Sequence, residues 1–187
     1  LEQTMATIQE FESELDYKVN ERTRVLEEKT KSITAHKERV EETLYSTMDP
    51  AVVKLMIQGR IRTENRHISV MRSNLKGFTK YSEKHPPDVV ITELNKFLGD
   101  METILLNYNA HIDKFMGDGI MSEFGAPIHY KKHTLLAVAC AWKMQEKMQH
   151  AKHPFKLGIG ISTGAATTGM IGVKRQSFTA FGDTVNL

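Results

Sequence analysis

A single cysteine among 187 residues, Cys140, rules out an internal disulfide and suits a reducing compartment. It lies in the apolar helical run Leu135-Leu136-Ala137-Val138-Ala139-Cys140-Ala141-Trp142 and reads as a buried core thiol. Long apolar runs are missing too. None approaches the roughly 20 residues of a bilayer-spanning helix, and no stretch has the pattern of a signal peptide. No G-x-x-x-x-G-K-[ST] segment occurs, which excludes a Walker-type phosphate loop. Neither sign of charge dominates, with 25 Lys/Arg against 23 Asp/Glu. The balance is uneven along the chain, however. Residues 1–49 hold seven basic and twelve acidic side chains, and the remainder eighteen and eleven. The mildly basic remainder suits a polyphosphate ligand, but its excess is too scattered to argue for nucleic acid. With 40% hydrophobic residues, the chain buries one core and has length left for an appended element.

Residues 1–46 contain neither proline nor glycine. One heptad phase runs through them, with Met5, Glu12, Val19, Leu26, Ile33 and Val40 at a and Leu1, Ile8, Leu15, Arg22, Lys29, His36 and Thr43 at d. Eight of these positions are apolar, but every d position from Arg22 onward is polar. That predicts a marginal parallel coiled coil; a solvated single helix is the alternative. Met48-Asp49-Pro50 breaks the helix. Asp49 is placed to cap a short helix from Pro50 to about Gln58, which Gly59 ends. Residues 60–66 read as linker.

Ile68 and Val70 alternate on a strand expected over His67–Ser73. Asn74 then starts a turn, and Thr79 is a candidate N-cap for a helix through Ser82. Pro86-Pro87-Asp88 opens a helix to about Asn107, with Val90, Leu94, Phe97, Met101 and Ile104/Leu105 at core spacing. Ile112 to Met121 reads as strand, Gly117-Asp118-Gly119 turn and strand. Taken alone, that is an ordinary hairpin whose Asp fills a turn position. A helix follows from His133 to about Gln149, with Leu135, Leu136, Ala139, Trp142 and Met148 as its expected buried side. Strands are expected over Lys156–Ser162 and Thr167–Ile171, separated by a Thr163-Gly164 turn. Long helices alternating with hairpin-linked strands give an α+β sandwich.

Three segments carry more than a fold class. They are Ser73-Asn74-Leu75-Lys76-Gly77-Phe78-Thr79, Lys114-Phe115-Met116-Gly117-Asp118-Gly119, and Phe178-Thr179-Ala180-Phe181-Gly182-Asp183-Thr184-Val185-Asn186. In this order they resemble the catalytic domain of class III nucleotide cyclases, the adenylate and guanylate cyclases. The resemblance covers about residues 40 to 187. It implies a ferredoxin-like antiparallel sheet with packed helices, preceded by a long coiled-coil signalling helix. The expected organisation is a coil over 1–46, a short helix and linker over 47–66, and a catalytic domain over 67–187. The chain opens on Leu1 in mid-helix and stops at Leu187 inside a motif, so a piece of a longer polypeptide is expected.

The reaction the resemblance implies is attack of the ribose 3′-oxygen of a nucleoside triphosphate on the α-phosphorus, with loss of pyrophosphate. Two Mg²⁺ or Mn²⁺ ions would stabilise the attacking and leaving oxygens. Their ligands would be Asp118 and the residue at position 74, with the Leu75 backbone beside it. The family has Asp at position 74; here it is Asn74, which brings no charge, and one ion is expected to bind poorly. Arg72, where the family prefers a large apolar residue, is expected to oppose metal binding further. Backbone groups of Gly77, Phe78 and Thr79 would hold triphosphate oxygens. Lys114 and Thr179 match the pair that reads adenine; guanylate cyclases carry Glu and Cys there. Asn186 matches the residue that orients the ribose, and the family's transition-state Arg would fall four positions later. The partners implied are ATP, a second copy of the chain joined through coil and catalytic domain, and an upstream sensor. The location implied is the cytoplasm, including the cytoplasmic part of a membrane-bound receptor. Two readings stand side by side. One is an adenylate cyclase domain with weak or absent activity in this chain. The other is a degenerate cyclase-homology domain that binds nucleotide or only dimerises.

Overall fold

A computed structural model of the protein describes residues 2–151, 153–174 and 176–186. The chain divides into two compact units, 1–48 and 49–187. The first is one helix, α1 (Glu2–Thr47), of 46 residues. Met5, Ile8, Leu15, Val19, Leu26, Ile33 and Val40, seven of the apolar heptad positions, are all exposed on it. Nothing within the helix itself covers this stripe.

The second unit opens with α2 (Pro50–Ile57). Asp49 caps it as expected, accepting from the N–H groups of Ala51 (2.7 Å) and Val52 (3.4 Å). Gly59 follows in the left-handed region at φ 63°. The first strand, β1, runs Glu64–Lys76, so it begins three residues before the expected start at residue 67 and shortens the linker. It also carries on through Asn74, which therefore lies in the sheet and not in a turn. Asn74 pairs with Gly119 on one side and Gly158 on the other. The helices α3 (Phe78–Ser82) and α4 (Pro87–Asn107) come next. Gly77, at φ 91°, is the N-cap of α3 in place of the expected Thr79. A left-handed residue is needed where the strand swings into that helix, and glycine adopts it without strain.

Strands β2 (His111–Met116) and β3 (Gly119–Phe124) form the hairpin, α5 spans His133–His150, and β4 covers Lys156–Ile171 without interruption. The turn expected at Thr163-Gly164 is absent, because Thr163 and Gly164 pair with Ser69 and Ile68 of the equally long β1. Strand β5 (Ser177–Phe181) and a 3-10 turn (Asp183–Val185) complete the unit. The sheet order is β2-β3-β1-β4-β5, antiparallel throughout. Its first four strands with α4 and α5 make the βαββαβ arrangement of a ferredoxin-like fold.

Alternate residues of β1 divide the sheet into two faces. Met71 and Leu75 join Phe97, Met101 and Leu105 of α4 and Ala137, Cys140 and Met144 of α5 in the core. The face of α5 that is buried differs from expectation. His133, Ala137, Cys140, Met144 and Met148 are buried, whereas Leu135 and Trp142 are exposed and Leu136 and Ala139 only partly covered. The run is apolar nearly all round, so periodicity did not single out a side. Ile68, Val70, Arg72 and Asn74 lie on the other face of β1.

Removal of α1 tests the heptad assignment. The full chain should sediment as a dimer at micromolar concentration and residues 50–187 with more monomer. Equal monomer content in both would remove the coil as the dimerising element.

Candidate functional site

The short link between β2 and β3 places the first group of candidates. Gly117 occupies the left-handed region at φ 62°, so Gly117-Asp118 turns the chain and Gly119 pairs at once with Asn74. A β-carbon at position 119 would stand 2.7 Å from the Ser73 carbonyl oxygen and 3.2 Å from Asn74 Oδ1. Glycine is therefore required there by close packing, and that packing sets Asn74 opposite the residue that follows Asp118. The donor set is one carboxylate and one amide oxygen. Among the described residues no group of three or more His, Cys, Asp or Glu side chains could hold a metal ion. Asp118, with oxygens of a bound triphosphate, suits one Mg²⁺ or Mn²⁺; the set does not suit two. Leu75, the other candidate ligand, buries its side chain in the core and offers only backbone.

Arg72 does not reach toward this group. Its guanidinium donates through Nη2 to the Val185 carbonyl, and its Nε is buried without a partner. That contact makes Arg72 a tether between β1 and the 3-10 turn. Asn186 follows directly, exposed, with its N–H donating to Asp183 O at 3.1 Å. Beyond Asn74, Gly77 O accepts from the Tyr81 N–H. The first-turn N–H groups of Phe78 and Thr79 have no acceptor within the helix. The Phe78 ring sits 5.5 Å from that of Phe155 and anchors the turn to the core.

The second group depends on an irregularity invisible in the sequence. The register between β2 and β3 shifts between Ile112 and Lys114, leaving Asp113 as an extra residue. A one-residue slip reverses the facing of everything beyond it. Lys114 is thereby paired with Met121, itself opposite Arg72, and so shares the face of Arg72 and Asn74. Consecutive strand residues ordinarily point apart, yet Lys114 Nζ lies 3.3 Å from Asp113 Oδ2. The same oxygen accepts from Thr179 Oγ1 at 2.8 Å. Strands β2 and β5 stand at opposite ends of the sheet order, so the sheet curls until its edges meet. Lys114 and Thr179, 65 positions apart in the numbering, thus share one carboxylate. Asp113 was not among the sequence candidates, and nothing short of the bulge distinguishes it from a strand residue.

A buried polar cluster was also missed. His111 Nδ1 lies 3.1 Å from Asp49 Oδ2, and the His111 ring meets Phe178 edge-on at 5.2 Å. Its strand partner Glu123 is fully buried, with no hydrogen-bond partner for either carboxylate oxygen. The Ala180 N–H leans toward it without reaching hydrogen-bond geometry. Burial pushes the Glu123 pKa up to about 7, against the lowering influence of His111 and with a further raising contribution from Asp113. Burial alone would lower His111, but Asp49 and Glu123 together raise it. The signal available in the sequence was one acidic residue inside Ile120-Met121-Ser122-Glu123-Phe124.

Comparison with known proteins settles the family. The sequence profile of the adenylate and guanylate cyclase catalytic domain matches residues 62–187. The chain belongs to that family. Among solved structures, the guanylyl cyclase Cya2 is 37% identical to this cyclase chain, with a TM-score of 0.61 over 66% of this chain and 68% of that one. The adenylyl cyclase CyaB from P. aeruginosa is 33% identical, with a TM-score of 0.63 over 67% and 70%. A receptor-type guanylate cyclase, gcy-28 of Caenorhabditis elegans, is 29% identical over 87% of this chain and 13% of its own length. The cyclase chain spans 20% or less of the length of the first three curated relatives it matches. Relatives with adenylate and guanylate names both occur, so the family leaves the base open.

Glu123 gives a stability test within the cyclase unit. Its raised pKa means the folded state binds the extra proton between about pH 4.5 and 7. Stability should therefore fall as pH rises through that window. His111, also raised, acts in the same direction above its ordinary value. Glu123→Leu should stabilise the protein at pH 8 by about 2 kcal/mol, and by less at pH 5.5, in urea unfolding. An equal effect at both pH values would contradict a buried, strained carboxylate.

Proposed function

We propose that this cyclase unit binds ATP and, within a longer polypeptide, converts it to cyclic AMP and pyrophosphate, with weak turnover in the present sequence. The observation that carries the base assignment is the grouping of Lys114 and Thr179 on Asp113. Lys114 is half exposed while Asp113 is enclosed, so the ammonium meets the carboxylate on one side and keeps N–H groups free on the other. It donates to adenine N1, whereas guanine N1 already carries hydrogen and would meet that donor unfavourably.

The remaining candidates take roles around the triphosphate and ribose. First-turn N–H groups of Phe78 and Thr79 face phosphate oxygens, with Gly77 allowing close backbone approach. Asn186 orients the ribose, and Arg72 fixes the segment carrying it through the Val185 carbonyl. A divalent ion, when bound at Asp118, supplies positive charge against the triphosphate oxygens. In this family the Asp118 group and the Lys114–Thr179 group are contributed by different subunits, so the active unit is a homodimer, with α1 helping to pair the chains. An upstream sensor and a cytoplasmic location fit relatives named as receptors. Among the described residues no helix is long and apolar enough to cross a membrane.

A second reading has its own observation. Asn74 leaves the metal group with one carboxylate, which favours a nucleotide-binding or dimerising module that has lost catalysis. The first reading requires ATP binding and turnover; the second requires neither turnover nor, where the module only dimerises, ATP binding.

Base choice is tested by Lys114→Glu combined with Thr179→Cys. The unaltered chain should bind ATP more tightly than GTP, and the double variant should lose or invert that order. Equal affinity of the unaltered chain for both nucleotides would refute the assignment. Asn74→Asp tests the metal group. Titration of Mn²⁺ in the presence of ATP should show one tight ion per site in the unaltered chain and two in the variant, with ATP affinity changing little. An unchanged stoichiometry would remove position 74 from the metal site.

A further inference from the structure

Reading adenine requires an acceptor beside the lysine donor, and a threonine hydroxyl is not inherently one. It has a single hydrogen and two lone pairs, so it can offer a base either polarity. The group on its other side decides. Thr179 Oγ1 donates to Asp113 Oδ2 at 2.8 Å, and only 1% of the Asp113 side chain is exposed. Water therefore has little access to compete for that bond. Thr179 itself is buried at 5% exposure, which limits its freedom to turn elsewhere.

We propose that Asp113 is a positioning residue that sets the donor–acceptor polarity of the Lys114–Thr179 pair and thereby selects 6-aminopurine nucleotides. The only hydrogen of Thr179 is committed to the carboxylate, so the hydroxyl presents lone pairs alone. Lys114 uses one N–H on the same oxygen and presents the others outward. Donor and acceptor then stand side by side. Adenine offers the complement, N1 accepting and the 6-amino group donating. Hypoxanthine and guanine, with N1–H and O6, would set donor against donor and acceptor against acceptor. The bulge makes this possible, since without the register shift Asp113 and Lys114 would face opposite sides of the sheet. The inference rests on the ATP-binding reading and adds to it the residue that enforces the choice.

The test uses the full chain and the non-cleavable α,β-methylene analogues of ATP and ITP, which differ only at position 6 and its neighbouring N1. Calorimetry should show the unaltered chain preferring the adenine analogue by about tenfold or more. Asp113→Ala frees the Thr179 hydroxyl to donate, and the preference should shrink to what Lys114 alone supplies. Asp113→Asn keeps an oxygen that accepts from both neighbours, so it should retain the preference. Were Asp113→Ala to fail to fold, Thr179→Val should reduce the preference to what Lys114 alone supplies and Thr179→Ser should keep it in full. If the unaltered chain binds both analogues alike, the adenine reading itself fails. If it discriminates, but Asp113→Ala weakens both analogues by one common factor, Asp113 is structural only and this inference fails alone. Undiminished discrimination in Thr179→Val would overturn it as well.

Discussion

One unpaired residue in a strand governs which face of the sheet Lys114 occupies. Asp113 sits at the register shift of β2, and its carboxylate holds two side chains from opposite ends of the sheet order. A regular β2 would set Lys114 opposite Ile120, on the helix-covered side and away from the face of Arg72. The extra residue turns it to the other face, and the curl of the sheet supplies Thr179. The bulge, the curl and the shared oxygen depend on one another.

The pair of His111 and Glu123, with Asp49 beside it, lies two residues back from Asp113 along β2. Asp49 both caps α2 and pairs with His111, so the start of the cyclase unit is tied to the root of β2. Glu123 is the discordant member, enclosed without hydrogen bonds, and its neutral form is the one that burial favours. Glu123, on β3 opposite His111, has its pKa raised to about 7, with the nearby Asp113 charge among the causes.

Position 74 shows how a fold outlasts one of its chemical groups. The strand pairing that delivers Asn74 to Gly119 is made by backbone bonds and by the small size of glycine, neither of which depends on the side chain at 74. An amide or a carboxylate at this position is therefore compatible with the same strand geometry. Arg72 is absorbed in the same way, its charge turned to the Val185 carbonyl.

Much of this was legible in residue order. Local rules sufficed for α1, the Asp49 cap, α4 and the Gly117-Asp118 turn, because caps, turns and helical spacing act over a few residues. The three cyclase-like segments also marked Asn74, Asp118, Lys114, Thr179 and Asn186 as candidates. Other features needed the assembled sheet. The unbroken β4 and the strand position of Asn74 follow from β1 and β4 being long enough to pair throughout. The buried face of α5 was set by which side met the sheet, since its sequence is apolar on nearly every side. Asp113 was beyond sequence reasoning for the most physical of reasons: its role is a hydrogen bond to a residue 66 positions away, reached through a bulge that no local preference encodes.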